Sequence, residues 1–275
     1  MTADSVLGLV FDRWGMDVAA TSGGASAYID AWNAGLAEAI SNLGEPGFPE
    51  TLERALRQLV AFEMMNGFAY SPGGKAFDLH NERIVGDRVT IVDHYLAGAY
   101  ILDPFYDAVR NAKLDGGVLV MRRLAPDRFT ETEYFRRHYQ ATGIVDEIGF
   151  ILKLPHVDAV LSLSRIGDVP GFSRRDIARL ESAAPIVRAL AERHWRARFD
   201  PPREEDDAAA TISHPLLSKR ELEIVTLILK GHSTYSLAAT LGLSPNTVKV
   251  HRRQAYAKLS ISSQAELFHL FLSRR

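Results

Sequence analysis

The step from Ser244 to Pro245 constrains the fold of this chain more than any other feature of the sequence. Serine is a preferred helix N-cap, and proline loses nothing at the first helical position because the N–H there has no intrahelical partner. The pattern therefore predicts a helix that begins at Pro245 and runs to about Leu259. Because this helix carries several cations, the elements before it decide whether it is an ordinary surface helix or part of a binding module.

Two shorter helices are predicted just before this one. Ser218 and Glu221 have the spacing of a capping box, in which each side chain satisfies the free backbone N–H of the other residue. Gly231 is expected to end the first helix, because a left-handed C-cap costs glycine little. Ser233 and Gly242 bound the second helix in the same way. A short helix, a tight turn and a capped basic helix favour a DNA-binding module over a solvated surface.

The third helix has one apolar face and one face suited to the major groove. At ~100° per residue, the apolar face consists of Val248, Ala255 and Leu259. The opposite face consists of Asn246, Lys249, Val250 and Arg253. Cations suit guanine edges or phosphates, an asparagine amide can bridge adenine, and valine can meet a thymine methyl. The flanking residues expected to contact phosphates are Thr247, His251, Arg252 and Lys258.

A family pattern covers residues 217–272. Its residues are Glu221-Leu222, Gly231, Ala238, Leu241, Ser244, Thr247-Val248-Lys249, His251 and Lys258-Leu259. This stretch resembles the tetrahelical helix-turn-helix domain of LuxR/NarL-type transcription regulators. The resemblance implies that Lys249, Val250 and Arg253 contact bases, and that two copies pair through the helix after Ser263. The residues of that helix expected to pair are Ala265, Leu267, Phe268, Phe271 and Leu272. The second helix departs from the family, with Thr234-Tyr235-Ser236 in place of a polar Asn-Lys-Glu run.

Charge is unevenly divided along the 275 residues. From Ser213 onward there are nine Lys/Arg and three Asp/Glu, against 23 and 31 before it. A basic end on an acidic body is expected when a small module alone meets a polyanion. The absence of cysteine excludes disulfides, cysteine-ligated metals and thiol redox sensing. The nine histidines have no metal-ligand spacing, so no metal or other cofactor is expected.

Composition and periodicity divide the chain into four parts. They are an N-terminal arm at 1–26, a ligand-binding sensor domain at 27–199, an acidic linker at 200–212 and the helix-turn-helix domain at 213–275. The linker, DPPREEDDAAAT, has two prolines, five acids and no apolar periodicity. Neither a signal peptide nor an apolar run of ~18 residues is present, so a cytoplasmic protein without membrane partners is expected.

The sensor region mixes helical periodicity with about five short strands. Helices are predicted at 28–43, 49–62 and 130–142, a strand at 116–124 and a hairpin at 144–154 and 157–166. A further helix is expected to begin at Ser173, capped by Asp176 and kinked by Pro185. The prediction is an α+β protein: an N-terminal α/β sandwich of GAF- or PAS-like type, followed by an all-α tetrahelical helix-turn-helix domain.

Two stretches of the sensor region carry candidate ligand contacts. The first is HYLAGAYILDPFY, which contains Tyr95, Asp103 and Pro104. It resembles the Tyr…Asp-Pro segment of the autoinducer-binding domains of quorum-sensing LuxR-type proteins. The resemblance implies that Asp103 accepts a hydrogen bond from a signal amide and that Tyr95 lies in the same pocket.

The second stretch is the strand VDEIGFILKL. Alternation places Asp146 in a row with Ile144, Ile148, Phe150 and Leu152. A buried carboxylate needs a partner, which is either Arg165 on the facing strand or a ligand. Glu147 is expected to point to the other face, so the two adjacent acids do not form a catalytic pair.

The candidate ligand contacts have acidic, phenolic or imidazole side chains. They are Tyr95, Tyr100, Asp103, Tyr134, His138 and Asp146. Acids and tyrosine faces both attract cations, which favours an amine or amide ligand with an aromatic or apolar body.

These patterns together predict a ligand-responsive regulator that binds a palindromic operator in double-stranded DNA as a homodimer. Its partners would be a small-molecule effector, a second copy of the chain and RNA polymerase. Two alternatives remain: a constitutive regulator whose first domain is a dimerisation scaffold, and an acyl-homoserine lactone receptor. No nucleophile–base pair can be assembled, so no catalytic residue and no enzyme activity are expected. The effector is expected to act through the helix after Ser173 and the acidic linker.

Overall fold

The computed structural model describes residues 18–82, 87–111, 117–200 and 212–272. Its strands are β1 (Met64–Tyr70), β2 (Ala76–His80), β3 (Val118–Val120), β4 (Ile144–Leu154) and β5 (Val157–Ile166). They form one antiparallel sheet in the order β2-β1-β5-β4-β3. Strands that follow one another in sequence pair at β1–β2, β3–β4 and β4–β5, and the pairing of β1 with β5 joins these two groups into one sheet.

The helices that frame this sheet and the C-terminal bundle follow in chain order. They are α1 (Val18–Ser41), α2 (Phe48–Leu59), α3 (Pro104–Asn111), α4 (Arg174–Trp195), α5 (Lys219–Lys230), α6 (Thr234–Leu241), α7 (Pro245–Leu259) and α8 (Gln264–Leu272). Shorter helical segments lie at Val89–Asp93, His94–Leu96, Ala99–Leu102, Met121–Leu124, Phe129–Glu131, Phe135–Gln140 and Arg196–Phe199. The mixed α+β class predicted from the sequence is confirmed.

Both faces of the sheet are covered, and each belongs to a separate apolar core. On one face, side chains of α2 and α4 such as Leu56 and Leu180 pack with Phe150 and Leu161 of the sheet. On the other face, alternate sheet residues such as Val160 pack with the aromatic segments between residues 91 and 139. Buried residues of α5 to α8 continue this second core, so the helix-turn-helix bundle packs on the sensor.

The hairpin predicted around Pro155-His156 is present, with β4 ending at Leu154 and β5 beginning at Val157. His156, the second residue of this connection, takes a left-handed φ of 63°. The predicted capping box at Ser173 and Asp176 is also present, and it begins α4. Both features depend on neighbouring residues alone, which explains why the sequence suffices to place them.

Three predicted elements have different boundaries in the structure. Helix α1 begins at Val18, so the glycine-containing TSGGAS stretch lies inside it and not in an N-terminal arm; residues 1–17 of that arm lie outside the described chain. The strand predicted at 116–124 is β3 alone, because Met121–Leu124 is helical. The helix predicted at 130–142 is a 3-10 turn at Phe129–Glu131 followed by a π-helical segment at Phe135–Gln140.

The C-terminal bundle begins with the predicted capping box. Ser218 Oγ accepts the Glu221 N–H at 3.3 Å, and Glu221 Oε2 accepts the Ser218 N–H at 2.8 Å. Gly231 and Gly242 end α5 and α6 with left-handed φ values of 96° and 64°. Among the described residues, no helix combines the length and the apolarity that a membrane span requires.

Candidate DNA-binding surface and ligand cavity

Helix α7 has the two faces that the sequence predicts. Ser244 caps it by accepting the Thr247 N–H at 3.0 Å, and Pro245 occupies the first helical position. Val248 and Ala255 are fully buried against the other helices of the bundle. Because these two side chains fix the rotation of the helix, the residues on the opposite side must face solvent.

The outer face of α7 is exposed and basic. Its exposed residues are Asn246, Lys249, Val250, Arg252 and Arg253, whereas Thr247 and His251 are half-buried. Val250, the apolar residue on this face, is 43% exposed. Amide, cations and valine thus lie together where a major groove could receive them.

Lys258, a predicted phosphate contact, is held from within the bundle. Its Nζ lies 2.7 Å from Oε2 of Glu221, the capping residue of α5. The hydrogen bond from Lys258 lowers the pKa of Glu221 to about 2. This ion pair ties the end of α7 to the beginning of α5, so Lys258 positions the helix that carries the basic face.

The sensor contacts the bundle around the α5–α6 turn, a contact that sequence reasoning missed. Lys230 Nζ lies 2.5 Å from Asp107 Oδ1, and Gly231 accepts the backbone N–H of Arg128 at 2.9 Å. The N–H of Ser233, the N-cap of α6, donates to Asp127 Oδ1 at 3.0 Å. A side chain at position 231 would meet the sensor backbone at 2.8 Å, so glycine permits both the cap and the close approach.

A second contact joins the sensor to α8. The Arg137 guanidinium lies 5.0 Å from the ring centroid of Phe268, within cation–π range. A cleft of about 790 Å³ opens beside these contacts and is lined by Arg128 of the sensor together with Lys249 and Arg253 of α7. The sensor therefore borders the basic face of α7.

A small cavity of about 40 Å³ lies between the sheet and the aromatic segments of the sensor. From the sheet, its polar lining residues are Asn66, Tyr70, Glu147 and Ser162; from the aromatic segments, they are Tyr95, Asp103, Tyr134, His138 and Tyr139. The apolar remainder is Met64, Phe68, Ile91, Phe105, Ile144 and Val160. Four of the six predicted ligand contacts thus line this cavity: Tyr95, Asp103, Tyr134 and His138.

Asp103 is held by its own loop and by a chain of tyrosines. Its Oδ1 accepts the Phe105 N–H at 2.7 Å, which begins α3, and its Oδ2 accepts the Tyr95 hydroxyl at 2.7 Å. The Tyr95 and Tyr70 hydroxyl oxygens are also 2.7 Å apart. Burial raises the pKa of Asp103 to about 6, against the lowering effect of these hydrogen bonds.

Glu147 is the acidic residue among the cavity-lining residues that sequence reasoning missed. It is 7% exposed, and its Oε2 accepts the Tyr139 hydroxyl at 2.6 Å. Burial, together with the nearby Asp103 carboxylate, raises its pKa to about 7. Burial also lowers the pKa of His138 to about 4, so this imidazole is neutral at ordinary pH.

Asp146 and Glu147 do point to opposite faces, but the cavity lies on the side of Glu147. Asp146 forms an ion pair with Arg122 and accepts the Phe172 N–H at 2.9 Å. It pairs in register with Arg165 as predicted. The Asp146–Arg165 salt bridge, one of the two partners left open for Asp146, does not form, because Arg165 Nε lies 3.4 Å from Glu63 Oε2. Alternation separates the two carboxylates correctly, but a bulge between Ile144 and Asp146 brings Ile144 to the cavity, on the side of Glu147.

Tyr100 lies behind the cavity. It is 2% exposed and packs against Tyr95 and Tyr70 with ring centroids 6.1 and 6.4 Å away. Its role in the structure is to support the tyrosines that line the cavity, and it is not among the lining residues.

A capped basic helix, buried on one side and exposed on the other within a four-helix bundle, defines a helix-turn-helix DNA-binding protein. Residues 215–271 match the family described as bacterial regulatory proteins, luxR family. The chain is 34% identical over 185 residues to an HTH-type transcriptional regulator in the exeN 3'region of Aeromonas salmonicida, covering 62% of this chain and 93% of that protein. The chain belongs to the LuxR family of bacterial transcription regulators.

Two further similarities are to a ligand-binding domain and to a regulatory protein. The crystal structure of the VqsR LBD domain from Pseudomonas aeruginosa is similar with a TM-score of 0.51 and 26% identity, covering 62% of this chain and 98% of that domain. The oxygen regulatory protein NreC of Staphylococcus aureus is 38% identical over 71 residues, which is 26% of this chain and 33% of NreC. The N-terminal part of the chain is thus a domain like the ligand-binding domains of LuxR-type regulators.

Proposed function

We propose that this regulator binds a specific DNA sequence as a homodimer and that a small molecule in the sensor cavity changes its affinity for that sequence. The exposed face of α7 carries the DNA part of the proposal. Asn246, Lys249, Val250 and Arg253 contact bases, and Thr247, His251 and Arg252 contact phosphates. Two such helices about one DNA turn apart, roughly 34 Å, would require a palindromic operator.

Pairing through α8 is the dimer arrangement that the family resemblance implies. In the described chain Leu267 and Phe268 are buried within the monomer, whereas Ala265 is exposed and Phe271 and Leu272 are half-buried. The proposed pairing surface is therefore the outer side of α8. Because Arg137 of the sensor lies on Phe268, the sensor lies close to this surface and can influence pairing.

The effector would act through the direct contacts between sensor and bundle. Asp103 lines the cavity, and Asp107, four residues later on α3, holds Lys230. His138 lines the cavity, and its neighbour Arg137 contacts α8. The expected route through α4 and the linker stays a prediction, since residues 201–211 lie outside the described chain. A ligand that displaces α3 or the 135–140 segment must also shift these contacts.

The effector we propose is a small amine or amide, held by Asp103, Tyr95, Tyr134 and His138. An acyl-homoserine lactone remains the alternative that the Tyr…Asp-Pro resemblance implies. The 40 Å³ cavity is far below the ~300–1,000 Å³ of typical ligand pockets, which favours a small effector or a cavity that opens on binding. The same observation favours the second candidate function, a constitutive regulator whose sensor is a dimerisation scaffold.

One experiment tests the DNA part of the proposal. The purified full-length chain selects duplexes from a random-sequence library, and fluorescence anisotropy then measures its affinity between about 50 and about 200 mM salt. We expect an enriched palindrome and a steep loss of affinity with salt. Enrichment of no sequence, or equal binding of every duplex, would overturn sequence-specific regulation.

A second experiment distinguishes a ligand-responsive sensor from a dimerisation scaffold. The selected operator is titrated in the presence of N-butylacetamide, N-octanoyl homoserine lactone or n-butylammonium, each at millimolar concentration. A ligand-responsive regulator shows a changed operator affinity with at least one of these probes and not with 1-butanol. Unchanged affinity with all of them, together with a sensor that binds none of them, establishes the scaffold.

A further inference from the structure

The sensor cavity presents hydrogen-bond acceptors to whatever enters it. Two carboxylates, Asp103 and Glu147, line it from opposite sides, together with Asn66 from β1. We propose that this cavity is a cation site in which Asp103, Glu147 and the Asn66 carbonyl oxygen together bind the ammonium or amidinium group of a small ligand. This inference rests on the proposed sensor function and goes further by naming the charge of the ligand and two further residues that hold it, Glu147 and Asn66.

The side-chain oxygen of Asn66 lacks a hydrogen-bond donor. Its side chain is 6% exposed, and its Oδ1 has no hydrogen-bond partner in the structure. Asn66 pairs in register with Ser162, and both side chains line the cavity. A buried carbonyl oxygen without a donor costs free energy comparable to a lost hydrogen bond, and a ligand N–H removes that cost.

The two carboxylates have hydroxyl donors but no cation. Asp103 accepts the Tyr95 hydroxyl, and Glu147 accepts the Tyr139 hydroxyl and, at 3.4 Å, the Ser164 hydroxyl. No lysine or arginine lies among the described residues that line the cavity. A buried pair of acids without a cation must stay protonated or receive a cation from outside.

The surroundings suit a cation better than a neutral amide. Four aromatic residues line the cavity as two pairs, with the rings of Phe68 and Tyr95 4.2 Å apart and those of Tyr134 and His138 4.8 Å apart. Aromatic faces attract cations. A cavity of about 40 Å³ holds roughly two or three waters. That space suits an ammonium or a methylated ammonium head, with any larger body extending past the apolar lining.

The test uses isothermal titration of the full-length chain with primary ammonium ions from methylammonium to benzylammonium. Each is paired with the alcohol of the same carbon skeleton, and N-butylacetamide serves as the neutral amide. We expect at least one ammonium ion to bind at millimolar concentration or tighter while its alcohol does not. Glu147→Gln should weaken that binding by about 10- to 100-fold, the usual effect of losing one charge-assisted hydrogen bond.

Asp146→Asn is the matched control, because Asp146 is an equally buried carboxylate one residue away that does not line the cavity. Its binding of the ammonium ion should equal that of the wild type. If the control fails to fold, the comparison of ammonium ion with alcohol on the wild type decides alone.

Three outcomes overturn the cation site: no ammonium ion binds, the alcohols bind as tightly, or Glu147→Gln binds unchanged. Binding of N-butylacetamide with an effect on operator affinity, but without ammonium binding, would sink the cation site and leave the sensor function standing. Ammonium binding that depends on Glu147 but leaves operator affinity unchanged would support the site and contradict the sensor function.

Discussion

Replacing Glu147 by glutamine should change the stability of the sensor in a strongly pH-dependent way. The carboxyl is buried against the sheet, and its pKa is raised from the usual 4.5 to about 7. The folded chain therefore keeps the Glu147 proton at a pH where the unfolded chain has released it. The contribution of this group to stability is full below pH 4.5, is lost as the pH rises to about 7 and is constant above that.

The magnitude follows from the displacement of the pKa. At ~1.4 kcal/mol per pH unit, a change from 4.5 to about 7 amounts to roughly 3 kcal/mol. Glutamine has a similar shape and does not titrate. The free energy of unfolding of Glu147→Gln relative to the wild type should therefore rise by roughly 2–3 kcal/mol between about pH 5 and about pH 8.

The assay is urea unfolding of wild type and variant at a series of pH values, with the difference between them as the readout. The difference matters because other groups titrate in the same range: burial lowers the pKa of His138 to about 4, which removes stability as the pH falls below 6.5. The titratable groups whose charges act on Glu147 or hydrogen-bond to it include Asp103, Tyr70, Tyr134 and Tyr139. The pKa values of these tyrosines are raised well above 10, so they stay protonated throughout.

A difference that does not change with pH would refute the reasoning, since it would mean that Glu147 has an ordinary pKa and is not buried beside Asp103. Asp146→Asn, which removes an equally buried carboxylate that does not line the cavity, is the control. A parallel rise in the control would assign the effect to the β4 strand as a whole.

Three further predictions concern the DNA-binding bundle and its contact with the sensor. Arg253→Ala should cost ~1–3 kcal/mol of operator binding and relax the preference at one base pair, whereas Arg252→Ala should weaken binding to all duplexes equally and reduce the slope of log affinity against log salt by about 1. Fluorescence anisotropy on operators with single-base changes distinguishes the two variants, and identical behaviour would contradict the assignment of the base-contacting face. Asp107→Asn and Lys230→Gln should be non-additive by roughly 0.5–1 kcal/mol in a double-mutant cycle of unfolding free energies, because their side chains form one partly buried ion pair in which Asp107 is 31% and Lys230 15% exposed. Additive effects would mean that the bundle does not dock on the sensor in solution. Glu221 has its pKa lowered to about 2, so its stabilisation is present above pH 4.5 and lost as the pH falls towards 2; Glu221→Gln should therefore reduce the loss of helical circular dichroism over that range, and an unchanged acid transition would show that the capping ion pair does not form.

The local elements of the chain could be predicted because short-range chemistry determines them. The caps at Ser173, Ser218 and Ser244 each involve a partner three residues away, and all three are present. The two faces of α7 follow in the same way, since rotation along a helix is fixed by its geometry. The class of the C-terminal bundle was therefore available from the sequence alone.

The choice between Asp146 and Glu147 was not available in this way. Alternation along β4 separates the two carboxylates, but both faces of this sheet are covered by apolar side chains. A strand that is buried on both sides gives no sign of which row meets a helix and which meets a cavity. Packing of the segments at 91–139 decides that Glu147 lines the cavity.

The sequence by itself determined that this chain carries a capped, basic, DNA-binding helix behind an α+β domain, because caps, turns and periodicity act over a few residues. Tertiary structure alone decided what lies next to what: Asp107 and Lys230 are 123 positions apart, and Asn66, Asp103 and Glu147 come from separate segments. Contacts between residues so far apart in sequence depend on how both faces of the sheet are covered and on how the helix-turn-helix bundle packs on the sensor. No local pattern records that choice, since each segment would have the same propensities with another partner.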